Sequence, residues 1–285
     1  MIAALAPIHH PPSGMVMNDF WQPFMTFVQV IPVVVVAWLA LRKWLPGERP
    51  LVMACLIGGG LASLIEPMVD HLALVWFAPE GLWKMFTTFG RSMPWFILPC
   101  YVWYIGGQAM LTLYLLRRGL TAKRLWILYG AYVVTNVVME IPALAAGIYA
   151  YYGPQPFEVA GLPLWFQSIN AASPIVAAAV IYRLGTKRGW SPWLAALVVP
   201  SCHALSNAVA GWPMWSALNS TGSLAVTYPT ALITISLAVL LVYLVALAVV
   251  DEPAGAAVPA GAGGAGRPAG AEPGGPRQPA ASGAR

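Results

Sequence analysis

The stretch LAVTYPTALITISLAVLLVYLVALAVV, from Leu224 to Val250, runs for 27 residues without a single charge. As a helix rising about 1.5 Å per residue, it is long enough to cross the roughly 30 Å of hydrocarbon in a bilayer. Six further apolar runs lie upstream of it: Phe20 to Leu41, Leu51 to Met68, Met93 to Leu116, Leu125 to Ala145, Pro163 to Leu184 and Pro192 to Ala210. The last of these is short and contains Pro200, His203 and Asn207. Composition points the same way. Hydrophobic residues make up 59% of the chain and charged residues 9%, against roughly 25% charged in soluble domains. Such a chain cannot cover a globular surface with polar groups, so lipid must be its main solvent. The fold expected is all-α: a polytopic membrane protein with a seven-helix transmembrane bundle.

The ends divide off by composition. Residues 1–19 lack a basic start and read as an extracytoplasmic N-terminal segment rather than a cleaved signal. Residues 20–250 form the seven-span domain. From Asp251 the chain turns into Pro, Ala, Gly and scattered charges, so residues 251–285 read as a disordered cytoplasmic tail with nothing to bury.

Orientation follows from Lys and Arg in the short loops. Arg42, Lys43 and Arg49 follow the first span, Arg117, Arg118, Lys123 and Arg124 the third, and Arg183, Lys187 and Arg188 the fifth; only Lys84 and Arg91 fall on the other side. That asymmetry alternates correctly for seven spans, with the N-terminus outside and the C-terminus in the cytoplasm of a cell's inner or plasma membrane. The net charge of +5 therefore reports topology. No basic stripe follows a phosphate backbone, which excludes nucleic acid as a partner. Cys55, Cys100 and Cys202 all sit in apolar runs and read as small core residues. No Cys, His or acidic spacing suits a metal, and His9-His10 belongs to a terminus expected to be floppy.

Two segments look alike. Glu66-Pro67 near the end of the second span is followed by Val75-Trp76-Phe77-Ala78-Pro79 and then Pro94-Trp95-Phe96. Glu140-Ile141-Pro142 at the end of the fourth is followed by Tyr151-Tyr152-Gly153-Pro154 and then Pro163-Leu164-Trp165-Phe166. This reads as a tandem repeat of a helical hairpin, with a glutamate and a proline near the outer end of each outward-running helix.

An ionisable group inside a span costs a few kcal/mol, about 2.5–3.5 for a central Asp or Lys, and so faces the bundle interior. Glu66 and Glu140 lie about 16 and 15 residues up their spans, at matched depth in the outer half. Asp70 is one turn beyond Glu66, and Asn136 one turn below Glu140. Gln167 and Asn170 open the fifth span, and the i,i+4 pair His203 and Asn207 climbs the sixth toward the same layer. Such Asn, Gln and His residues also serve as interhelical packing bonds, worth about 0.6 kcal/mol each on average. The two glutamates, each beside a proline that frees backbone carbonyls, point instead to a polar cavity.

Several functions are excluded by absence. The last span has no lysine for a retinal Schiff base. No nucleotide-phosphate loop, Gly-x-Ser-x-Gly elbow or haem ligand pair is found. The repeat is parallel and the polar layer off-centre, unlike transporters with inverted repeats at the midplane. Acid–base chemistry on a lipophilic small molecule is left.

Glu66-Pro67-x-x-Asp70, Glu140-x-Pro142, the stretch Gly147-x-Tyr149-x-Tyr151-Tyr152-Gly153 and Leu164-Trp165 together resemble the AveC-type spirocyclase family over roughly residues 50 to 185. That family usually carries Asp-Pro where Glu66-Pro67 stands. The resemblance implies an integral-membrane protein that forms polyketide spiroketals, in some members with dehydration. A looser resemblance, to small integral-membrane terpene cyclases, rests on size, seven spans and acids on two helices. The function expected is an intramembrane cyclase without cofactor, with membrane lipid around it and a lipophilic small-molecule substrate. Glu140 is expected as acid and Glu66 as base, or the reverse, assisted by Asp70. Asn136, Gln167, Asn170 and Asn207 would orient substrate oxygens, and His203 would relay protons. A terpene cyclase protonating a polyprenyl epoxide or alkene, and a non-enzymatic membrane carrier or adaptor, are the alternatives.

Overall fold

The computed structural model describes residues 9–42, 49–220 and 222–250. Lys43, the tail from Asp251 and the first eight residues of the N-terminal segment lie outside the described residues. The chain is mostly helical. Among the described residues, six helical stretches are long and apolar enough to cross a membrane: Trp21–Leu39, Arg49–Ala73, Ala122–Ala145, Leu164–Leu184, Pro192–Leu218 and Leu224–Val249.

In chain order, α1 spans Trp21–Leu41, α2 Arg49–Ala62 and α3 Glu66–Ala73. A 3₁₀ turn, Ser63–Ile65, joins α2 to α3, and its cause is local. Pro67 has no N–H to give the carbonyl of Ser63 four residues back, and the chain tightens so that the Glu66 N–H takes that carbonyl instead. Glu66 is thereby set at a bend. The expected second span thus runs on past Met68 to Ala73.

The third apolar run folds as α4 Ile97–Tyr101, a π-helical segment Val102–Gly107, and α5 Gln108–Arg117. Then come α6 Ala122–Ala145, α7 Leu164–Leu184, a 3₁₀ turn Pro192–Leu194, α8 Ala195–Leu218 and α9 Leu224–Val249. Thr121 caps α6 by accepting from the Arg124 N–H. The short sixth run becomes a full-length helix, because α8 continues through Pro213 to Leu218. A membrane helix tolerates the one lost bond when its neighbours pack well.

The middle of the bundle is α7, which packs on α5, α6, α8 and α9. Its Ala171-Ala172-Ser173 and Ala177-Ala178-Ala179 are all buried. Small side chains let backbones approach where no hydrophobic drive separates helix from lipid. The same device joins α2 to its neighbours. A methyl on Gly58 would stand 2.8 Å from Val199 Cβ, and one on Gly59 2.5 Å from the Tyr101 carbonyl oxygen.

The all-helical expectation needs one correction. Among the described residues, three two-stranded antiparallel sheets lie between the helices at one end of the bundle. They comprise β1 Val75–Phe77, β2 Lys84–Thr88, β3 Arg91–Pro94, β4 Tyr149–Tyr151, β5 Glu158–Val159 and β6 Leu162–Pro163. Segments this short carry no strand periodicity. Strand β1 is mostly buried, so its backbone groups must find partners in the protein, whereas β2 and β5 are exposed strands of local hairpins.

Strand β1 pairs with β4, and β2–β3 and β5–β6 are hairpins leading into α4 and α7. The two look-alike segments therefore meet. Val75 pairs with Tyr151, Trp76 with Ala150 and Phe77 with Tyr149, a register symmetric about Trp76 and Ala150. Glu66 precedes β1 by nine residues (75 − 66), and Glu140 precedes β4 by nine (149 − 140). The two glutamates thus stand the same number of residues ahead of two strands that pair with each other.

The N-terminal segment is not floppy where it is described. Met17 is buried, its N–H bonds the Glu80 carbonyl at 2.8 Å, and the ring of His9 packs at Gly153. Asn18 Oδ1 accepts from the N–H groups of Phe20 and Trp21 at the start of α1.

Candidate active site

Glu66, Asp70, Glu140 and Asn170 all border one cavity of about 90 Å³. It is large enough to hold several waters. The two glutamates are close enough for their charges to interact. Glu66 stands at the bend between α2 and α3 and accepts a hydrogen bond from the Tyr101 hydroxyl. Glu140, two residues before Pro142 in α6, accepts from Tyr149 Oη at 3.0 Å and Tyr151 Oη at 2.9 Å, both on Oε2. Helix α6 ends in a turn with Gly147 at φ +69°, where the Ile148 N–H bonds the Ala143 carbonyl. That turn swings β4 back so that its two phenols reach Glu140.

Burial, then the nearby Glu140 charge, holds both β4 phenols well above the ordinary tyrosine range. They stay protonated and act as donors. Much of the wall is aromatic, in a chain of ring contacts: Phe96 to Phe77 at 6.1 Å, Tyr149 to Tyr151 at 6.1 Å and Tyr151 to Phe166 at 6.1 Å are edge-on, and Phe77 to Tyr149 at 5.2 Å is tilted. Phe96 and Phe166 come from corresponding places in the two repeats.

Asp70 is 1% exposed and its Oδ2 has no partner among the described residues. Near it, outside the cavity wall, Arg91 is buried between two rings. Its guanidinium lies 4.9 Å from the Trp76 centroid and 5.6 Å from that of Tyr152, and donates to Tyr152 Oη at 2.6 Å. Cation–π contact of this kind keeps a charge in place after water has been stripped from it.

The remaining expected residues divide. Asn136 lies on a second, smaller cavity that shares Glu140 with the first. Gln167 is fully buried beside Glu140, with neither amide atom in a well-formed bond. His203 and Asn207 are not on either cavity. His203 packs edge-on against Tyr101 at 5.5 Å, and Asn207 Nδ2 donates back to the His203 carbonyl at 3.1 Å. Both therefore stand behind Tyr101, at one remove from Glu66. Among the described residues no group of three His, Cys, Asp or Glu side chains could hold a metal ion.

Tyr101, Tyr104, Tyr149 and Tyr151 were not among the expected site residues. In a membrane chain an aromatic reads first as an interface anchor, and nothing local marks a phenol as a donor to a distant acid. The one available signal was the alternation Tyr149-x-Tyr151, which puts both rings on one side of a strand. Comparison with protein-family models, curated proteins and solved structures finds no match for this chain.

Proposed function

We propose that this protein is an intramembrane cyclase that works by acid–base catalysis with Glu66 and Glu140 on a lipophilic, oxygenated substrate. One observation carries the reading: two carboxyl groups from separate helices share one aromatic-walled cavity, and each is hydrogen-bonded by tyrosine hydroxyls. In the spiroketal-forming version a hydroxy-ketone closes to a hemiketal. The acid then protonates the hemiketal hydroxyl, water leaves, and an oxocarbenium ion forms. A second substrate hydroxyl attacks that ion and gives its proton to the other carboxylate. Atoms balance with one water lost, and no oxidant or cofactor is required.

Two phenols converge on Glu140 and one on Glu66. An oxygen already holding two donors is arranged as an acceptor, which favours Glu140 as base and Glu66 as acid. Asp70 stands beside the pair to assist. The aromatic faces suit a cation, and this also supports the second reading, a terpene cyclase in which the acid protonates an epoxide or alkene.

The bundle is read as seven spans. Strands β1 and β4 pair at one end of it, so the chain between them must leave that end and return to it. Ile97–Arg117 is the leg that leaves that end, and helix α6 makes the return. With the basic loops inside, the cavity lies toward the outer leaflet. The test is conversion by purified protein in vesicles, without added cofactor, of a dihydroxy-ketone and of a polyprenyl epoxide. Cyclised product from either chooses between the readings. Tight retention of both with no product would make the protein a carrier and overturn the proposal.

A further inference from the structure

We propose that a lipophilic ligand reaches Glu140 from the lipid, through the cleft between the π-helical segment and α6. The second cavity, about 50 Å³, lies in that cleft, with Trp103 and Tyr104 on one side and Thr135, Asn136 and Met139 on the other. It shares Cys100, Tyr104, Met139 and Glu140 with the first cavity. The glutamate therefore borders both the inner chamber and the cleft.

On α6, Val134 and Val138 flank these cleft residues and are 60% and 61% exposed. On an apolar membrane helix such a face meets lipid. The cleft is also polar where lipid alone would make that costly. Both amide atoms of Asn136 and the hydroxyl of Tyr104 are buried with no partner among the described residues. Buried polar groups are normally bonded. Here they line the way to a carboxyl, where the oxygens of a passing ligand can use them. Trp103 is fixed as a post by its indole N–H, which donates to Gln29 Oε1 of α1 at 2.7 Å. Met139 stands on the wall common to both spaces. Its unbranched side chain can change rotamer at little cost and so join two volumes that are each far below the roughly 300 Å³ of a small-molecule site. A π-helical segment at this edge is in keeping with the common use of such segments at functional sites.

The inference rests on the reading of Glu140 as the reactive carboxyl, but access can be measured without turnover. The full chain in bilayer nanodiscs is treated with dicyclohexylcarbodiimide, which partitions into lipid, or with a cationic water-soluble carbodiimide. The reaction is run in acidic buffer, so that Glu140, the base of the proposed reaction, carries a proton; the acid oxygen then bonds to the central carbon of either reagent, its proton goes to nitrogen, and the adduct rearranges to a stable N-acylurea readable by peptide mass spectrometry. The lipid-soluble reagent is expected to label Glu140 about tenfold faster than the water-soluble one. Met139→Trp should slow that labelling by about tenfold, and Trp103→Ala, which removes the post, should speed it. Opposite effects from two variants separate access from misfolding. Labelling that is equal from water, indifferent to both substitutions, or absent at Glu140 with both reagents would overturn the proposal. Labelling as described in a protein that converts no substrate would uphold the doorway and remove the cyclase.

Discussion

Replacing Gly106 by alanine should loosen the wall that carries Tyr101 and Tyr104, and the contact can be worked through. A methyl at Gly106 would lie 2.4 Å from the Cys55 carbonyl oxygen and 3.0 Å from Leu56 Cα. Both obstacles are backbone of α2, so no side chain can swing away. Restoring an ordinary 3.4 Å contact requires α2 and the π-helical segment to part by about 1 Å (3.4 − 2.4). Overpacking of this kind costs about 1–3 kcal/mol. At roughly 2–4 °C per kcal/mol for a domain of this size, a mid-range cost of about 2 kcal/mol lowers Tm by about 4–8 °C. The assay is thermal unfolding of detergent-purified protein, with two alanine controls. Gly60→Ala would meet only the side chains of Val102 and Leu98, at 3.3 and 3.4 Å, and should be mild. Gly130→Ala on α6 meets nothing within 4 Å and should gain up to about 1 kcal/mol of helix propensity. If Gly106→Ala melts with Gly60→Ala, the close approach of these helices is wrong, and with it the placing of Tyr101 over Glu66.

Two further outcomes are expected. A reporter active only in the cytoplasm should be on when fused after Arg118 or Val250 and off after Glu158; the opposite signal at any of these points breaks the seven-span map. Gln155→Leu should cost roughly 2–6 kcal/mol, because it orphans two buried partners at about 1–3 kcal/mol each. Gln155 Nε2 donates to the Ala73 carbonyl at 2.9 Å, and its Oε1 accepts from Trp165 Nε1 at 3.1 Å. Unchanged thermal stability in that variant would show that the loop is not tied down there.

Much of this architecture is legible in the sequence, for physical reasons that are easy to name. Leu224 to Val250 cannot stand in water, and two glutamates beside prolines cannot stand in lipid without a cavity. Depth along a helix is fixed by rise per residue, which is why Glu66 and Glu140 could be matched before any coordinates. Facing is harder. His203 and Asn207 reach the right layer but stand behind Tyr101, because layer and azimuth are separate variables and single-sequence polarity reports only the first. The hairpins and the β1–β4 pairing are too short for any periodic signal. The π-helical segment packs closely through Gly106 against Cys55, a contact between residues 51 apart in sequence (106 − 55). The tyrosines are hidden because a phenol signals its role only through the group it touches.

The account stands or falls on Glu66 and Glu140 acting as one unit, and a double-mutant cycle on turnover measures that directly. Glu66→Gln, Glu140→Gln and the double variant are purified in matched lipid, and initial rates are taken on whichever substrate the wild-type protein cyclises. Each single substitution keeps side-chain volume, removes only the ionisable group, and should cut the rate by at least about 10²-fold. Because each transfer needs the other, the double variant should be little worse than the poorer single. Full activity in either single variant, or losses that multiply in the double, would contradict a shared acid–base site and return the two glutamates to packing.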